Sequence, residues 1–142
     1  MRRVCPECKA QNRIPVRHLA DTGHCGKCRA VLPPHATPIE ITSEQQFDDI
    51  IAGARVPVVV DFWATWCGPC RAVAPEVKKA AGNLAGKAIV VKVDTDELTD
   101  LAQRYGIQSI PNFAVFNAGR LVRQRAGAID HRQLERWAVA PQ

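Results

Sequence analysis

The chain is poor in aromatic residues and has no long apolar run. Only 6% of its 142 residues are Phe, Trp or Tyr, and residues 1–38 contain none. Its apolar stretches are far shorter than the ~20 residues that a membrane-spanning helix needs, so we expect no membrane segment. The charged N-terminus lacks the apolar core and the small-residue cleavage site of a secretory signal. The cytoplasm is therefore the expected location.

Positive charge is confined to the first 38 residues. The formal net charge is +5, and residues 1–38 hold seven Lys or Arg against two acidic residues, whereas the rest of the chain holds twelve of each kind. A basic segment of this kind is compatible with nucleic-acid binding. The same segment, however, lacks the aromatic side chains on which single-stranded bases stack. We therefore do not expect nucleic acid to be a partner.

The first four of the six cysteines form a pattern typical of zinc. Cys5 and Cys8 are separated from Cys25 and Cys28 by 16 residues, which matches the spacing of four-cysteine zinc sites. Four thiolates leave no open position on the ion, so we predict one structural Zn²⁺ per chain. The ion would also supply folding energy to a segment with few large apolar side chains. Two disulfides are the alternative, which a reducing compartment disfavours.

The third pair, Cys67 and Cys70, has a different context. It follows an apolar run and is flanked by Trp66, Gly68 and Pro69. We expect it in the first turn of a helix, where the unpaired N–H groups and the helix dipole stabilise a thiolate at Cys67. Gly68 would let a substrate backbone approach, and the fixed φ of Pro69 suits the first turn.

This asymmetry predicts redox chemistry. Cys67 would attack a substrate disulfide, and Cys70, which we expect to be more buried and more protonated, would resolve the mixed disulfide. A redox-active Cys67–Cys70 disulfide is thus predicted. A third metal half-site or a buried spectator pair is the alternative interpretation.

Strand and helix signals alternate after a proline-rich stretch. We divide the chain into a zinc-binding segment (residues 1–32), a linker (33–38) and an α/β domain (39–142). Its predicted order is β-α-β-α-β-α-β-β-α, with parallel central strands, helices on both faces and an antiparallel edge hairpin. The predicted elements are strands 38–41, 56–63, 88–93, 113–116 and 121–125 and helices 43–52, 67–83, 97–105 and 130–138.

Asp61 interrupts the apolar run that precedes the redox pair. A carboxyl group is costly to bury and acquires a raised pKa where it is dry. Perturbed carboxyl groups of this kind concentrate at functional sites, so Asp61 is a candidate catalytic residue. An outward-facing acid at a strand edge is the alternative.

Together these motifs resemble one family. Residues 56–75 (VPVVVDFWATWCGPCRAVAP) are similar to the active-site segment of thioredoxins, residues 105–111 (YGIQSIP) resemble their proline loop, and Gly127 matches their late glycine. The similarity covers about residues 39–140. The cysteine-rich segment in front resembles the zinc-binding thioredoxin-2 branch of the family.

The resemblance implies a thioredoxin fold and roles for further residues. Asp61 would accept the Cys70 proton through a water molecule, and Lys92 would lie beside Asp61, although a solvated strand-end lysine is equally compatible with the sequence. Pro111 would be cis and would leave the preceding backbone open to substrate. Trp66, Ile110, Pro111 and Gly127 would form an apolar contact patch. Asn112 departs from the threonine usual after this proline, which bears on substrate preference.

The resemblance also implies the activity and the partners. We expect a protein-disulfide reductase that is itself reduced by an NADPH-dependent thioredoxin reductase, acts on oxidised protein disulfides, binds no organic cofactor and is a monomer. The alternative is a zinc-dependent protein- or nucleic-acid-binding module, or a redox-switched holdase, on the same scaffold.

Overall fold

The first 32 residues form two β-hairpins and a short 3₁₀ turn. The structure is a computed structural model that describes residues 1–141. Strand β1 (Arg2–Val4) pairs antiparallel with β2 (Gln11–Arg13), and β3 (Gly23–His24) pairs antiparallel with β4 (Val31–Leu32). The 3₁₀ turn spans Val16–His18. Each hairpin therefore carries one Cys-x-x-Cys loop at its tip.

The rest of the described chain forms a mixed five-stranded sheet with helices on both faces. Strand order in the sheet is β5-β7-β6-β8-β9, with β5, β7 and β6 parallel and with β8 and β9 forming an antiparallel hairpin. This confirms the predicted fold class and order of elements. The elements are β5 (Ile39–Glu40), α1 (Glu44–Gly53), β6 (Val58–Trp63), α2 (Gly68–Asn83), β7 (Ile89–Asp94), α3 (Thr99–Arg104), β8 (Asn112–Asn117), β9 (Arg120–Ala126) and α4 (His131–Ala138). Every helix within residues 1–141 is too short or too polar to cross a bilayer.

Side-chain hydrogen bonds begin the first and last helices where the sequence predicts. Ser43 accepts from the Gln46 backbone N–H and starts α1, but the Gln46 side chain accepts from the Thr42 N–H, so only half of a capping box is formed. At α4, Asp130 and Gln133 form both bonds of the box. These bonds satisfy N–H groups that the helix itself leaves unpaired.

The central strand β6 is buried on both faces. Val58, Val60 and Phe62 pack in the layer with α1 and α3, whereas Val59 packs with α2 and α4. Because successive side chains of a strand alternate, Asp61 lies on the α2 side. The strand thus presents a carboxyl group to the inside of the domain.

The N-terminal segment shares a hydrophobic core with the α/β domain. Leu19 is 1% exposed and packs in the same cluster as Phe47 and Ile50. Val16 packs closely against Gly53 of α1: a Cβ atom placed on Gly53 would lie 3.0 Å from the Val16 side chain. Burying these apolar side chains stabilises the segment. The sequence alone attributes its folding energy to a metal, and this apolar contribution is additional.

Residues 33–38 connect the N-terminal segment to β5, and one of their contacts is near the C-terminal end of α2. Residues 33–38 form no helix or strand, and the His35 N–H donates to the Leu19 carbonyl at 2.9 Å. The Ala36 carbonyl faces Gly82, near the C-terminal end of α2. Since a 16-residue helix is about 24 Å long, this contact is about 20 Å from the N-terminus of α2.

The shared core predicts that Leu19→Ala destabilises the whole protein. We expect the free energy of unfolding to fall by about 2–4 kcal/mol, because the substitution leaves a cavity in the core. Val31→Ala is the control within the same segment, since Val31 is 55% exposed, and it should change stability by less than about 0.5 kcal/mol. Urea unfolding measures both. Equal effects of the two substitutions would contradict a shared core.

Candidate active site and metal centre

Cys67 and Cys70 form a disulfide at the start of α2. Their Cα atoms are 5.2 Å apart. Cys67 is the N-cap of the helix, and its sulfur accepts from the Cys70 backbone N–H at 3.1 Å. In the reduced state this donor and the helix dipole favour a thiolate at Cys67. The local geometry therefore matches the predicted position of the nucleophile.

Both cysteines are almost completely buried in the disulfide form. Cys67 is 3% exposed and Cys70 is 4% exposed, and they pack with Ala64, Trp63 and Ile110. The expectation that Cys70 would be the more buried residue is not met in this state. The small ring holds both sulfurs under the same covering side chains, and so their burial is equal.

The loop before β8 lies against Cys67. The Ile110–Pro111 peptide bond is cis, as the resemblance implies, and the Cys67 sulfur is 3.8 Å from the Ile110 carbonyl oxygen. The Gly127 N–H donates to the Pro111 carbonyl at 2.9 Å. Within residues 1–141, neither the N–H nor the carbonyl of Ile110 has a backbone hydrogen-bond partner. This part of the backbone is available to an extended peptide.

Only part of the predicted contact patch is exposed, and a carboxylate lies beside it. Trp66 is 66% exposed, and Gly127 is exposed as well, whereas Ile110 is half-buried and Pro111 is buried. The Trp66 indole N–H donates to the Asp96 carboxylate at 2.9 Å. Sequence reasoning missed Asp96 because it lies 30 residues away, in the loop after β7, and only the folded sheet brings it to the active site.

Asn112 belongs to an internal hydrogen-bond network. It is 8% exposed, and its Oδ1 accepts from Gln124 Nε2 at 3.0 Å. The same Gln124 amide donates to the Tyr105 carbonyl at 3.3 Å. The side chain after the cis proline thus ties β8 to β9 and to the end of α3.

Asp61 is a buried carboxyl group. It is 2% exposed, and its Oδ1 has no hydrogen-bond partner among residues 1–141. Burial raises the pKa of Asp61 to about 7, while Lys92 acts to lower it and Glu40 to raise it further. The interpretation as an outward-facing acid is excluded by this burial. A carboxyl group with a pKa near 7 can both take up and release a proton at neutral pH.

Lys92 is the neighbour of Asp61 in the sheet. The two residues are register partners on β7 and β6, and the Lys92 side chain is 17% exposed. Its Nζ lies 3.7 Å from a carboxylate oxygen of Glu40 and 4.6 Å from the centre of the Trp63 ring. Lys92 therefore lies beside Asp61, as the resemblance implies, but its ion pair is with Glu40. Sequence reasoning did not single out Glu40, which stands on the two-residue strand β5.

The other four cysteines form one cluster. The sulfurs of Cys5, Cys8, Cys25 and Cys28 all lie within 4.8 Å of one another, and in the described structure none of them is in a disulfide. Two pairs are in contact: Cys5 with Cys28 at 3.5 Å and Cys8 with Cys25 at 3.6 Å. The fold brings together the four ligands that the spacing predicts.

The two cysteine loops have the same backbone design. Each runs Cys-x-x-Cys-basic-Ala, and the basic residue has a positive φ, 65° at Lys9 and 69° at Arg29. In each loop the basic residue donates its N–H to the carbonyl of the first cysteine. Asn12 completes the site, since its amide donates to the Cys25 sulfur at 3.5 Å. The basic-Ala pair after each Cys-x-x-Cys can be read in the sequence and indicates that the two loops are alike, but sequence reasoning missed it.

The donor set fits a divalent cation. The Cys28 backbone N–H and the Asn12 amide lower the pKa of Cys25 to about 6, which favours a thiolate. At Cys28 the Ala30 N–H acts in the same direction, but burial and the neighbouring thiols outweigh it and raise the pKa to about 12. Four adjacent thiolates therefore require a positive charge among them. Four sulfur ligands at this separation are the set that tetrahedral Zn²⁺ prefers.

Two family models match the chain. The model described as Thioredoxin matches residues 38–140, and the model described as Thioredoxin 2, N-terminal, a zinc ribbon, matches residues 4–30. Thioredoxin C-3 of Corynebacterium nephridii is 35% identical over 134 residues, which cover 94% of this chain and 90% of the relative. Thioredoxin 1 of Chlorobaculum tepidum is 47% identical over 90 residues, 63% of this chain and 89% of the relative.

Solved structures of thioredoxins share the fold. The structure of Plasmodium falciparum thioredoxin is 33% identical, with a TM-score of 0.65 over 70% of this chain and 95% of that one. A mutant thioredoxin from Halobacterium salinarum NRC-1 is 29% identical, with a TM-score of 0.67 over 75% of this chain and 95% of that one.

The burial of Asp61 predicts that Asp61→Asn stabilises the oxidised protein at high pH. The folded-state pKa of about 7 lies above the ordinary value of 3.8. The native protein therefore binds more protons than the unfolded chain between these values, and its stability falls as the pH rises through this window. At pH 8 the asparagine variant should be more stable by roughly 3–4 kcal/mol.

At pH 4 the advantage of this variant should be small, because the aspartic acid is then neutral in the native protein. Urea unfolding at both pH values measures the difference. The same gain at pH 4 and pH 8 would show that Asp61 does not titrate in the way its burial predicts.

Proposed function

The chain belongs to the thioredoxin family of thiol–disulfide oxidoreductases, and on that basis we propose that it reduces disulfides in other proteins through Cys67 and Cys70. The observation that carries this proposal is the position of their disulfide, at the N-terminus of α2 and against the Ile110 carbonyl. This position combines a stabilised thiolate with an open stretch of backbone for substrate. The proposed catalytic unit is residues 39–142, preceded by a linker at 33–38 and a zinc-binding segment at 1–32.

In the first step the Cys67 thiolate attacks one sulfur of the substrate disulfide. The substrate S–S bond breaks, a mixed disulfide forms with Cys67, and the other substrate sulfur leaves as a thiolate that takes up a proton. The Cys70 N–H, which already donates to the Cys67 sulfur, stabilises the attacking anion. Exposed Gly68 and Pro69 leave room for the substrate on this side of the helix.

In the second step Cys70 loses its proton and attacks the Cys67 sulfur. The Cys67–Cys70 bond forms, the mixed disulfide breaks, and the second substrate sulfur leaves as a thiolate that takes up a proton, so that two electrons have passed from the protein to the substrate. We assign the Cys70 proton to Asp61, through a water molecule. The support is a buried carboxyl group whose pKa of about 7 suits proton transfer at neutral pH. Lys92 would stabilise the negative charge that Asp61 carries before it takes up this proton.

Substrate binding would use the backbone beside the cis proline. An extended peptide can pair with the N–H and carbonyl of Ile110 in the manner of an added strand. Trp66 and Gly127 would cover the neighbouring surface. Because backbone pairing is independent of side-chain identity, this mode suits many oxidised proteins. The proposed electron donor is an NADPH-dependent thioredoxin reductase, and the cytoplasmic location and monomeric state stay predictions.

We further propose that Cys5, Cys8, Cys25 and Cys28 hold one Zn²⁺ with a structural role. When bound, the ion supplies a fourfold cross-link between the two hairpins. The likeness of the two loops and their N–H donors supports this assignment. A closed four-sulfur shell leaves no position for a substrate.

The reductase proposal predicts opposite behaviour for the two catalytic cysteines. Cys67→Ser should abolish the reduction of insulin disulfides, because no nucleophile remains. Cys70→Ser should instead accumulate a covalent mixed disulfide with the substrate, because it cannot complete the second step. Non-reducing gels and mass spectrometry detect this adduct. Insulin reduction at the wild-type rate by Cys67→Ser would rule the proposal out.

The zinc proposal predicts one zinc per chain and two readily titrated thiols in the reduced protein. Elemental analysis gives the metal content, and a thiol reagent gives the count. Cys5→Ser should lose most of the zinc, whereas Cys67→Ser, the control with the same substitution, should keep it. Metal loss in Cys67→Ser would mean that the cysteines are not divided as we propose.

A further inference from the structure

Three charged residues stand in one row across three neighbouring strands. Glu40 on β5 is the register partner of Lys92 on β7, and Lys92 is in turn the register partner of Asp61 on β6. Register partners on parallel strands point to the same face of a sheet. All three side chains therefore lie on the face that α2 covers.

Within this row the cation is bound to the outer acid. Lys92 Nζ lies 3.7 Å from the Glu40 carboxylate and above the Trp63 ring, whereas the Asp61 Oδ1 has no hydrogen-bond partner among residues 1–141. Glu40 is on the outside, with a side chain that is 56% exposed, and Asp61 is on the inside. Lys92 thus lies between two acidic residues, and it forms its ion pair with the exposed one.

The other groups around Asp61 show why the position of the Lys92 ammonium group matters. Other charged or titratable groups near this row come from α2 and β7. On α2 they are Cys70, which packs with Trp63, and Arg71 and Lys78, which line a surface groove together with Glu40 and Lys92. On β7 the Asp94 carboxylate accepts from the N–H groups of Asp96 and Glu97. Strand β8, on the other side of Asp61, places the apolar Phe113 opposite it. Lys92 is therefore the one cation that stands directly beside Asp61 in the described sheet, and Glu40 is the group that holds it.

We propose that Glu40 is a positioning residue for disulfide reduction: it holds the Lys92 ammonium group on the outer side of the row and so leaves the Asp61 carboxyl group free to take up and release a proton. This inference rests on the proposed function of Asp61. If Lys92 were released from Glu40, it would approach Asp61 and stabilise the carboxylate. A carboxylate that is stabilised in this way is a weaker proton acceptor, and so Glu40 would act on catalysis without touching the substrate.

Glu40→Gln tests the proposal by a direct measurement of Asp61. The ¹³C resonance of the Asp61 carboxyl group, followed against pH in the oxidised protein, reports its pKa. We expect the pKa to fall by about half a unit or more, because the substitution removes a negative charge two strands away and frees the ammonium group. In the reduced protein, the low-pH limb of the rate of mixed-disulfide resolution should move down by the same amount.

Two single variants serve as controls. Glu40→Asp keeps the charge and should stay close to the wild-type pKa. Glu44→Gln is the same substitution at another ion-paired acid, since Glu44 pairs with Arg104, but Glu44 lies on α1, on the opposite face of the sheet. It should leave the Asp61 titration unchanged. An unchanged or raised Asp61 pKa in Glu40→Gln would overturn the proposal.

A double variant separates positioning from a direct effect of charge. In a Lys92→Gln background there is no ammonium group to release, so Glu40→Gln should shift the Asp61 titration less than it does in the wild type. An equal shift in both backgrounds would show that Glu40 does not act through Lys92. Insulin reduction by the wild-type protein is measured separately. Its absence would reject the reductase function, while the carboxyl titration would still decide the role of Glu40.

Discussion

Asp61 is a carboxyl group buried in the central strand of an apolar sheet, and the arrangement of the active site depends on it. A charge at this place would be costly, and burial therefore brings the pKa of Asp61 to about 7. The neighbours of Asp61 adjust this balance without cancelling it, since Lys92 favours the charged form and Glu40 opposes it. The buried carboxyl group thus costs the domain stability as the pH rises from about 4 to 7.

Cysteine serves two purposes in this chain because the two environments differ. At the start of α2, one sulfur receives a backbone N–H and lies beside an open stretch of backbone, a setting that favours exchange between dithiol and disulfide. In the N-terminal hairpins, four sulfurs face one another and need a cation between them. The folded chain places the two sets in separate clusters of buried side chains, Cys5 and Cys25 in one and Cys67 and Cys70 in the other.

The N-terminal segment is nevertheless part of the same folded body. Leu19 and Val16 pack against α1, so the N-terminal segment and the α/β domain share a hydrophobic core. The segment has few large apolar side chains of its own. Apolar burial therefore stabilises it through packing against the surface of the α/β domain. Loss of order around the four cysteines would therefore destabilise the packing on the α1 face of the sheet, which is opposite the face that contains Asp61.

The order of the elements, the division of the cysteines and the ends of most helices could all be predicted from the sequence. These features depend on local patterns: apolar runs, capping residues such as Asp130, and the spacing of the cysteine pairs. Which distant residues meet became known only from the folded chain. The ion pair of Lys92 with Glu40, the bond from Trp66 to Asp96 and the burial of Leu19 depend on strand order and on packing between layers. Local sequence carries no record of such contacts, because they join residues that are tens of positions apart.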